Sequence, residues 1–297
     1  MASDELKTLI ALKRAHPYDP SKSLASLRGA GPDDDSVPRP GTEVTLVDAR
    51  GVPGEWVVFG QPTSKKVFLF LHGGGYFRSS AAATRLLASN LSAACDCRCF
   101  TVDYRLAPEY KFPAAVDDAH TAYLWLLGQG IAPMDIVVGG SSAGGGLAAA
   151  LLNKLKQDGE PLPAAAILLS PWTDLTQSAD TFLTNADSDP SISKTLLDLA
   201  ASQYLGDADP VDPLASPVFA ELSGLPPMLV QVGKSETMYG DSLTYVHKAR
   251  EANVEVTLES YDDVIHGWHN SGHLVPDMPE AILAVEQIGK FFRTLTA

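Results

Sequence analysis

A chain of 297 residues is long enough to bury one large core, and 45% apolar with 20% charged residues is the composition of a packed globular protein rather than a disordered one. The formal net charge of −14 repels a phosphate backbone and an anionic leaflet alike, which argues against nucleic acid and acidic lipid as partners. One catalytic or binding unit carrying insertions is the expected organisation.

The opening stretch, MASDELKTLIALKRAH, places Asp4 and Glu5 ahead of any apolar run and Lys13 and Arg14 soon behind it, so neither a signal peptide nor an integral membrane span fits and the expected address is the cytoplasm. Leu6, Leu9, Ile10 and Leu12 form one stripe at helical spacing, expected to dock on the parent domain rather than on a membrane surface. A Gly/Pro/Asp-rich stretch, GAGPDDDSVPRPG, closes this N-terminal segment at residue 41. TEVTLVDA (42–49) and EWVVFG (55–60) then lie on either side of Gly-Val-Pro-Gly and predict an antiparallel hairpin at a sheet edge.

The very apolar VFLFLH (67–72) reads as a strand that ends in His72-Gly73-Gly74-Gly75. Consecutive glycines let the backbone approach a ligand and aim successive N–H groups at one point, which is what an oxyanion requires. A phosphate cradle would need Lys followed by Ser or Thr after the glycines, and Tyr76-Phe77 stand there instead. Cys95, Cys97 and Cys99 come next, an odd number that argues against a disulfide framework; if RCFTVDY is a strand, their thiols share one side of it, packed and reduced.

After a helical stretch near 113–128, the strand DIVVGG (135–140) runs into Gly140-Ser141-Ser142-Ala143-Gly144 and then a helix rich in Ala and Leu (143–157). A random chain of this length would contain G-x-S-x-G about once in ten times, so the spacing alone is weak. The setting decides. In a tight strand-to-helix turn the glycines two before and two after Ser142 remove colliding side chains, and the hydroxyl is held above the sheet at a helix N-terminus that favours negative charge. Ser142 is therefore the candidate nucleophile, and the N–H of Ala143 joins those of Gly73 and Gly74 as a candidate oxyanion donor.

A strand at AAAILLS (164–170) is followed by 171–226, where a helical segment (194–204) sits among many Pro, Asp and Ser residues. MLVQVG (228–233) and VEVTLES (254–260) are the last strands, with helices near 239–252 and 279–295. The alternation predicts a mostly parallel sheet with helices on both faces, and insertions after strand ends predict a helical cap over the cleft. The core is then 42–170 with 227–297, and 1–41 with 171–226 form the cap.

A base and its acid must follow Ser142. His247 falls inside a predicted helix, whereas His266 lies in a loop just after a strand, beside Gly267, where it can reach over the sheet edge. His266, His269 and His273 share helical spacing, but nothing completes H-E-x-x-H, and no metal or other cofactor is expected. Glu236, directly after the strand MLVQVG, is the candidate acid; Asp241, expected in the helix beyond, is the runner-up. Tyr76, Phe77, Trp172 and Trp268 are candidate apolar walls for a substrate, each as readily explained by core packing.

HGGGYF (72–77), DYRLAPEYKFPAAVDDA (103–119), GGSSAGGGLA (139–148), SPWTDLT (170–176), LPPMLVQVGKSE (225–236) and VIHGWH (264–269) together resemble the hormone-sensitive lipase family of α/β hydrolases, in family order. The resemblance implies the α/β-hydrolase fold and a serine carboxylesterase acting on short- to medium-chain esters. It maps the nucleophile onto Ser142, the oxyanion donors onto Gly73, Gly74 and Ala143, and the base onto His266. Ser141 stands where Asp commonly precedes the nucleophile and Glu236 where Asp commonly serves as the acid. A Glu carboxylate orients imidazole as well, and the order Ser, Glu, His is kept. The resemblance extends to plant hormone receptors that lack the working His, a non-catalytic alternative that the presence of His266 disfavours. Amide, lactone or formamide hydrolysis by the same triad stays open, as does a homodimer.

Overall fold

The structure, a computed structural model, describes residues 2–17, 19, 22–28 and 36–295. The 29–35 part of the Gly/Pro/Asp-rich stretch lies outside the described residues. A helix α1 (Asp4–Ala15) and one turn α2 (Leu24–Arg28) precede the strands β1 (Thr42–Asp48), β2 (Pro53–Phe59), β3 (Val67–Leu71), β4 (Arg98–Val102), β5 (Ile136–Ser141), β6 (Ala165–Leu169), β7 (Met228–Gly233) and β8 (Val256–Tyr261). The helices between and after them are α3 (Arg85–Cys95), α4 (Ala114–Gly128), α5 (Ala143–Asp158), α6 (Thr181–Thr184), α7 (Lys194–Leu205), α8 (Tyr239–Glu251) and α9 (Pro279–Thr294).

One sheet holds all eight strands in the order β1-β2-β4-β3-β5-β6-β7-β8. The expected hairpin is present as β1 and β2, paired antiparallel from Thr42 opposite Phe59 to Asp48 opposite Pro53, with β1 at the edge. β2 meets β4 antiparallel, and every pair from β4 through β8 is parallel. This is the α/β-hydrolase fold.

The two-residue alternation of a strand divides the core. Val67, Leu69 and Leu71 of β3 point into the cluster that holds α4, α5 and α8, while Phe68 and Phe70 point into the cluster under α3 and α9. With both faces covered, the central strands read as unbroken apolar runs. Helix α3, which the sequence reading did not single out, contributes Leu87, Ala88, Leu91 and Cys95 to the second cluster.

All three cysteines are buried and free, but only Cys99 lies within β4; Cys95 ends α3 and Cys97 sits in the turn between. The expected single row along one strand is therefore corrected: a helix terminus, not a strand, supplies the first thiol. The N-terminal stripe docks as expected. Leu6 and Leu9 are fully buried against Val264, Ile265 and Trp268, and Leu12, at 38% exposure, marks the limit of the contact. Ser3 caps α1 by accepting from the Leu6 N–H and gives its own N–H and hydroxyl to Glu280 of α9, at 2.9 and 2.8 Å. Among the described residues no helix is long and apolar enough to cross a membrane.

Candidate active site

β5 ends at Ser141, and Ser142 occupies the N-cap of α5 with φ 55° and ψ −121°. A left-handed φ is costly for serine and is held here by packing on every side of the turn. A Cβ on Gly140 would overlap Gly144 and the Leu71 carbonyl, and one on Gly144 would overlap the Leu71 and His72 carbonyls. The two glycines of the motif are thus required by close backbone approach between β3 and the start of α5. The Ser142 N–H donates to the Leu169 carbonyl at 2.8 Å, which ties the turn to β6.

From this turn the Ser142 Oγ lies 2.8 Å from His266 Nε2, and His266 Nδ1 lies 2.8 Å from Glu236 Oε2. With Nδ1–H donating to the carboxylate, Nε2 is left to accept from the serine hydroxyl. Glu236 is fully buried, and its Oε1 accepts from the Ser170 hydroxyl at 2.7 Å and the Gly233 N–H at 2.6 Å. A buried carboxylate satisfied on both oxygens cannot swing away from the imidazole. Burial works against a charged His266 ring, yet the hydrogen bond and charge of Glu236, with the charge of Asp189 behind it, outweigh burial and the opposing Lys13 ammonium and raise its pKa above the usual value.

Asp241, the runner-up acid, is in α8 and turned elsewhere: it accepts from the Thr173 N–H at 2.9 Å and from the Thr173 hydroxyl, and burial pushes its pKa up to about 7. His247 is exposed on α8 beside Glu251. His269 points into the core, donating to Gln231 Oε1 at 3.1 Å, where burial lowers its pKa to about 3. His273 donates to the Asn270 carbonyl at 2.9 Å. Of the four downstream histidines, His266 alone among the described residues meets Ser142.

The His72–Gly75 loop runs beside the same turn, with Gly73 packed close enough that a Cβ there would stand 3.4 Å from that of Ser142. Gly74 has φ 112°, a conformation that no side chain adopts without strain. The DYRLAPE stretch braces this loop from behind. Asp103 accepts from the Ala81 N–H at 2.6 Å, and the Ala107 N–H donates to the Tyr76 carbonyl at 2.8 Å. Arg28 of α2 adds bonds to the Phe77 and Ala107 carbonyls and to Glu109.

A cleft of about 680 Å³ opens over Ser142 and His266, bounded by Gly73–Gly75, Phe77 and, from the 171–226 insertion, Ile192, Leu196, Leu197 and Ala200. Phe77 lines it. Tyr76, Trp172 and Trp268 do not, which corrects their reading as substrate walls. Tyr76 stacks on Tyr204 at 3.9 Å between ring centroids and leans on Trp172, and Trp268 packs under α1 against Tyr261 and His269. One residue of the site has no signal in the sequence. Asp189, 1% exposed in the insertion, accepts from the His266 backbone N–H at 3.3 Å and the Thr237 N–H at 3.0 Å. No motif or strand end marks it in the sequence.

Residues 68–270 match the sequence profile of the α/β-hydrolase fold family. The chain is 39% identical to an acetyl-hydrolase of Streptomyces hygroscopicus over 253 residues, covering 82% of this chain and 84% of that one. It is 36% identical to an esterase of Acinetobacter venetianus over 257 residues, covering 86% and 84%. Among solved structures it superposes with a TM-score of 0.94 on an esterase from the bacterial hormone-sensitive lipase family, 40% identical over 100% of both chains. It matches EstE5, a crystal of which was soaked with p-nitrophenyl butyrate, with a TM-score of 0.94 at 38% identity and 99% of each chain. The chain belongs to the α/β-hydrolase fold family and, within it, to the hormone-sensitive lipase group of carboxylic ester hydrolases.

Proposed function

We propose that this esterase hydrolyses short- to medium-chain carboxylic esters through a Ser142–His266–Glu236 triad and an acyl-enzyme intermediate. The observation that carries the reading is the run of hydrogen bonds from the Ser142 hydroxyl through the His266 ring to the Glu236 carboxylate, 2.8 Å at each step. Neutral His266 takes the Ser142 proton as Oγ attacks the ester carbonyl, and Glu236 supports the imidazolium that forms. The N–H groups of Gly73, Gly74 and Ala143 stabilise the oxyanion, where each donor is worth about 10²–10³ in rate. His266 then gives the proton to the leaving alcohol, and water repeats the sequence on the acyl-enzyme.

Residues 1–41 and 171–226 form the cap in this reading and the remainder the catalytic core. Phe77, Leu196 and Leu197 give the acyl group an apolar wall of limited size. The acetyl-hydrolase relative and the butyrate ester soaked into EstE5 favour short chains. Aryl esters from acetate to laurate measure this: kcat/KM peaks at or below about eight carbons, and a rising profile through the longest chain contradicts it. Rapid quenching followed by intact mass finds the acyl group on the protein; its absence under conditions of burst release contradicts the covalent route.

A further inference from the structure

The loop that carries Glu236 is held from outside the core. Four consecutive carbonyls, those of Lys234, Ser235, Glu236 and Thr237, each accept a side-chain hydrogen bond from one stretch of the insertion. Asn185 Nδ2 donates to Lys234 at 2.9 Å and to Glu236 at 2.8 Å, Ser188 Oγ to Ser235 at 2.9 Å, and Thr181 Oγ1 to Thr237 at 2.7 Å. Thr181 Oγ1 in turn accepts from the Gly240 N–H at 2.9 Å. Glu236 and Thr237 of this loop are fully buried, so its carbonyls need partners within the protein, and side chains of the insertion supply them.

Asp189 ends the same stretch and reaches further. Its Oδ2 accepts from Thr237, and its Oδ1 accepts from Ser191 N–H at 3.2 Å and from the His266 N–H at 3.3 Å. One carboxylate therefore joins the loop bearing the acid to the loop bearing the base. It also places a second negative charge where His266 feels it; Glu236, His266 and, opposing them, Lys13 are the charged groups acting there. Burial and the Glu236 charge push the Asp189 pKa up to about 6, against the lowering charge of His266.

We infer that Asp189 is a positioning residue for the triad: with Asn185, it uses the cap insertion to hold the Glu236 and His266 loops in register, and its charge adds to that of Glu236 in favouring the imidazolium. The inference rests on the triad reading above. The insertion is then part of the catalytic framework as well as a wall of the cleft.

The test compares Asp189→Asn and Asn185→Ala with the wild type, with kcat expressed per site labelled by a fluorophosphonate so that misfolded protein is not counted. Failure of the wild type to label at Ser142 would sink the triad reading itself, separately from this one. Asp189→Asn lowers kcat by about 10- to 100-fold with KM within a few-fold, as a misplaced reacting group does. It also moves the acid limb of kcat/KM to lower pH, because removing a negative charge lowers the pKa of His266. Asn185→Ala lowers kcat several-fold with the limb unmoved, since no charge is lost. A merely structural Asp189 would lower the labelled fraction and leave both kcat per site and the limb in place, which overturns the inference. Should Asp189→Asn not fold, wild-type kcat per site in Asn185→Ala overturns it alone.

Discussion

The Tyr104 hydroxyl donates to the His72 carbonyl across 2.7 Å, and the two rings stack with centroids 4.1 Å apart. Tyr104 is the second residue of DYRLAPE, so the most distinctive stretch of the sequence acts at one remove from the chemistry. It fixes the strand end that leads into Gly73 and Gly74, the proposed oxyanion donors. Removing only the hydroxyl, in Tyr104→Phe, leaves a buried carbonyl short of a donor at a cost of about 1–3 kcal/mol. The expected result is a lower melting temperature together with reduced kcat at unchanged KM; an unchanged kcat would separate this brace from the oxyanion loop.

In the proposed mechanism His266 must be neutral to accept the Ser142 proton. Its raised pKa means that activity begins to fall at a higher pH than an ordinary histidine would dictate, and is lost as pH drops further. Glu236→Gln removes the largest charge responsible and frees the ring to take the wrong tautomer. It should lower kcat by about 10²–10⁴ and shift the acid limb of the residual activity to lower pH. A pH profile that keeps the wild-type limb would contradict the role given to Glu236.

How much of this was legible in the sequence follows from what each residue depends on. Strands β3, β5, β6 and β7 are short apolar runs bounded by turn residues, and the nucleophile turn needs glycines at fixed offsets, so both can be read locally. Helix α3 could not, because Ser89, Asn90 and Ser92 interrupt its apolar face while Ser89 and Ser92 are buried through bonds to Leu86, Cys97 and Phe59 backbone. The aromatic residues near the motifs were indistinguishable as wall or core, since a neighbour in sequence to a catalytic loop can face either way. Asp189 lies 47 residues before Glu236 and 77 before His266, and only the folded insertion brings the three together.

Phe77 and Trp172 offer a direct comparison between wall and core. Phe77→Ala enlarges the cleft and should shift the acyl-chain optimum upward by a few carbons. Trp172→Ala removes a fully buried ring and should cost about 3–5 kcal/mol of stability without a change in the optimum of whatever folded protein remains. Chain-length profiles beside urea melts check both; a shifted optimum in Trp172→Ala would return that residue to the cleft.

Helix α1 buries Leu6 and Leu9 on Val264 and Ile265, the two residues that lead into His266. Leu9→Ala should destabilise the docked helix by about 2–4 kcal/mol, and hydrogen exchange should quicken in α1 and the 262–268 loop before the central strands respond. Uniform quickening across the whole sheet would show that the helix is not a separable unit.

The account stands on Ser142 as nucleophile, and its most direct test is ester turnover by Ser142→Ala, a change that removes one oxygen from an otherwise intact site. The expected result is a fall in kcat of about 10⁵ or more, with native melting behaviour and no fluorophosphonate adduct. Turnover within about tenfold of the wild type would place the chemistry elsewhere in the molecule.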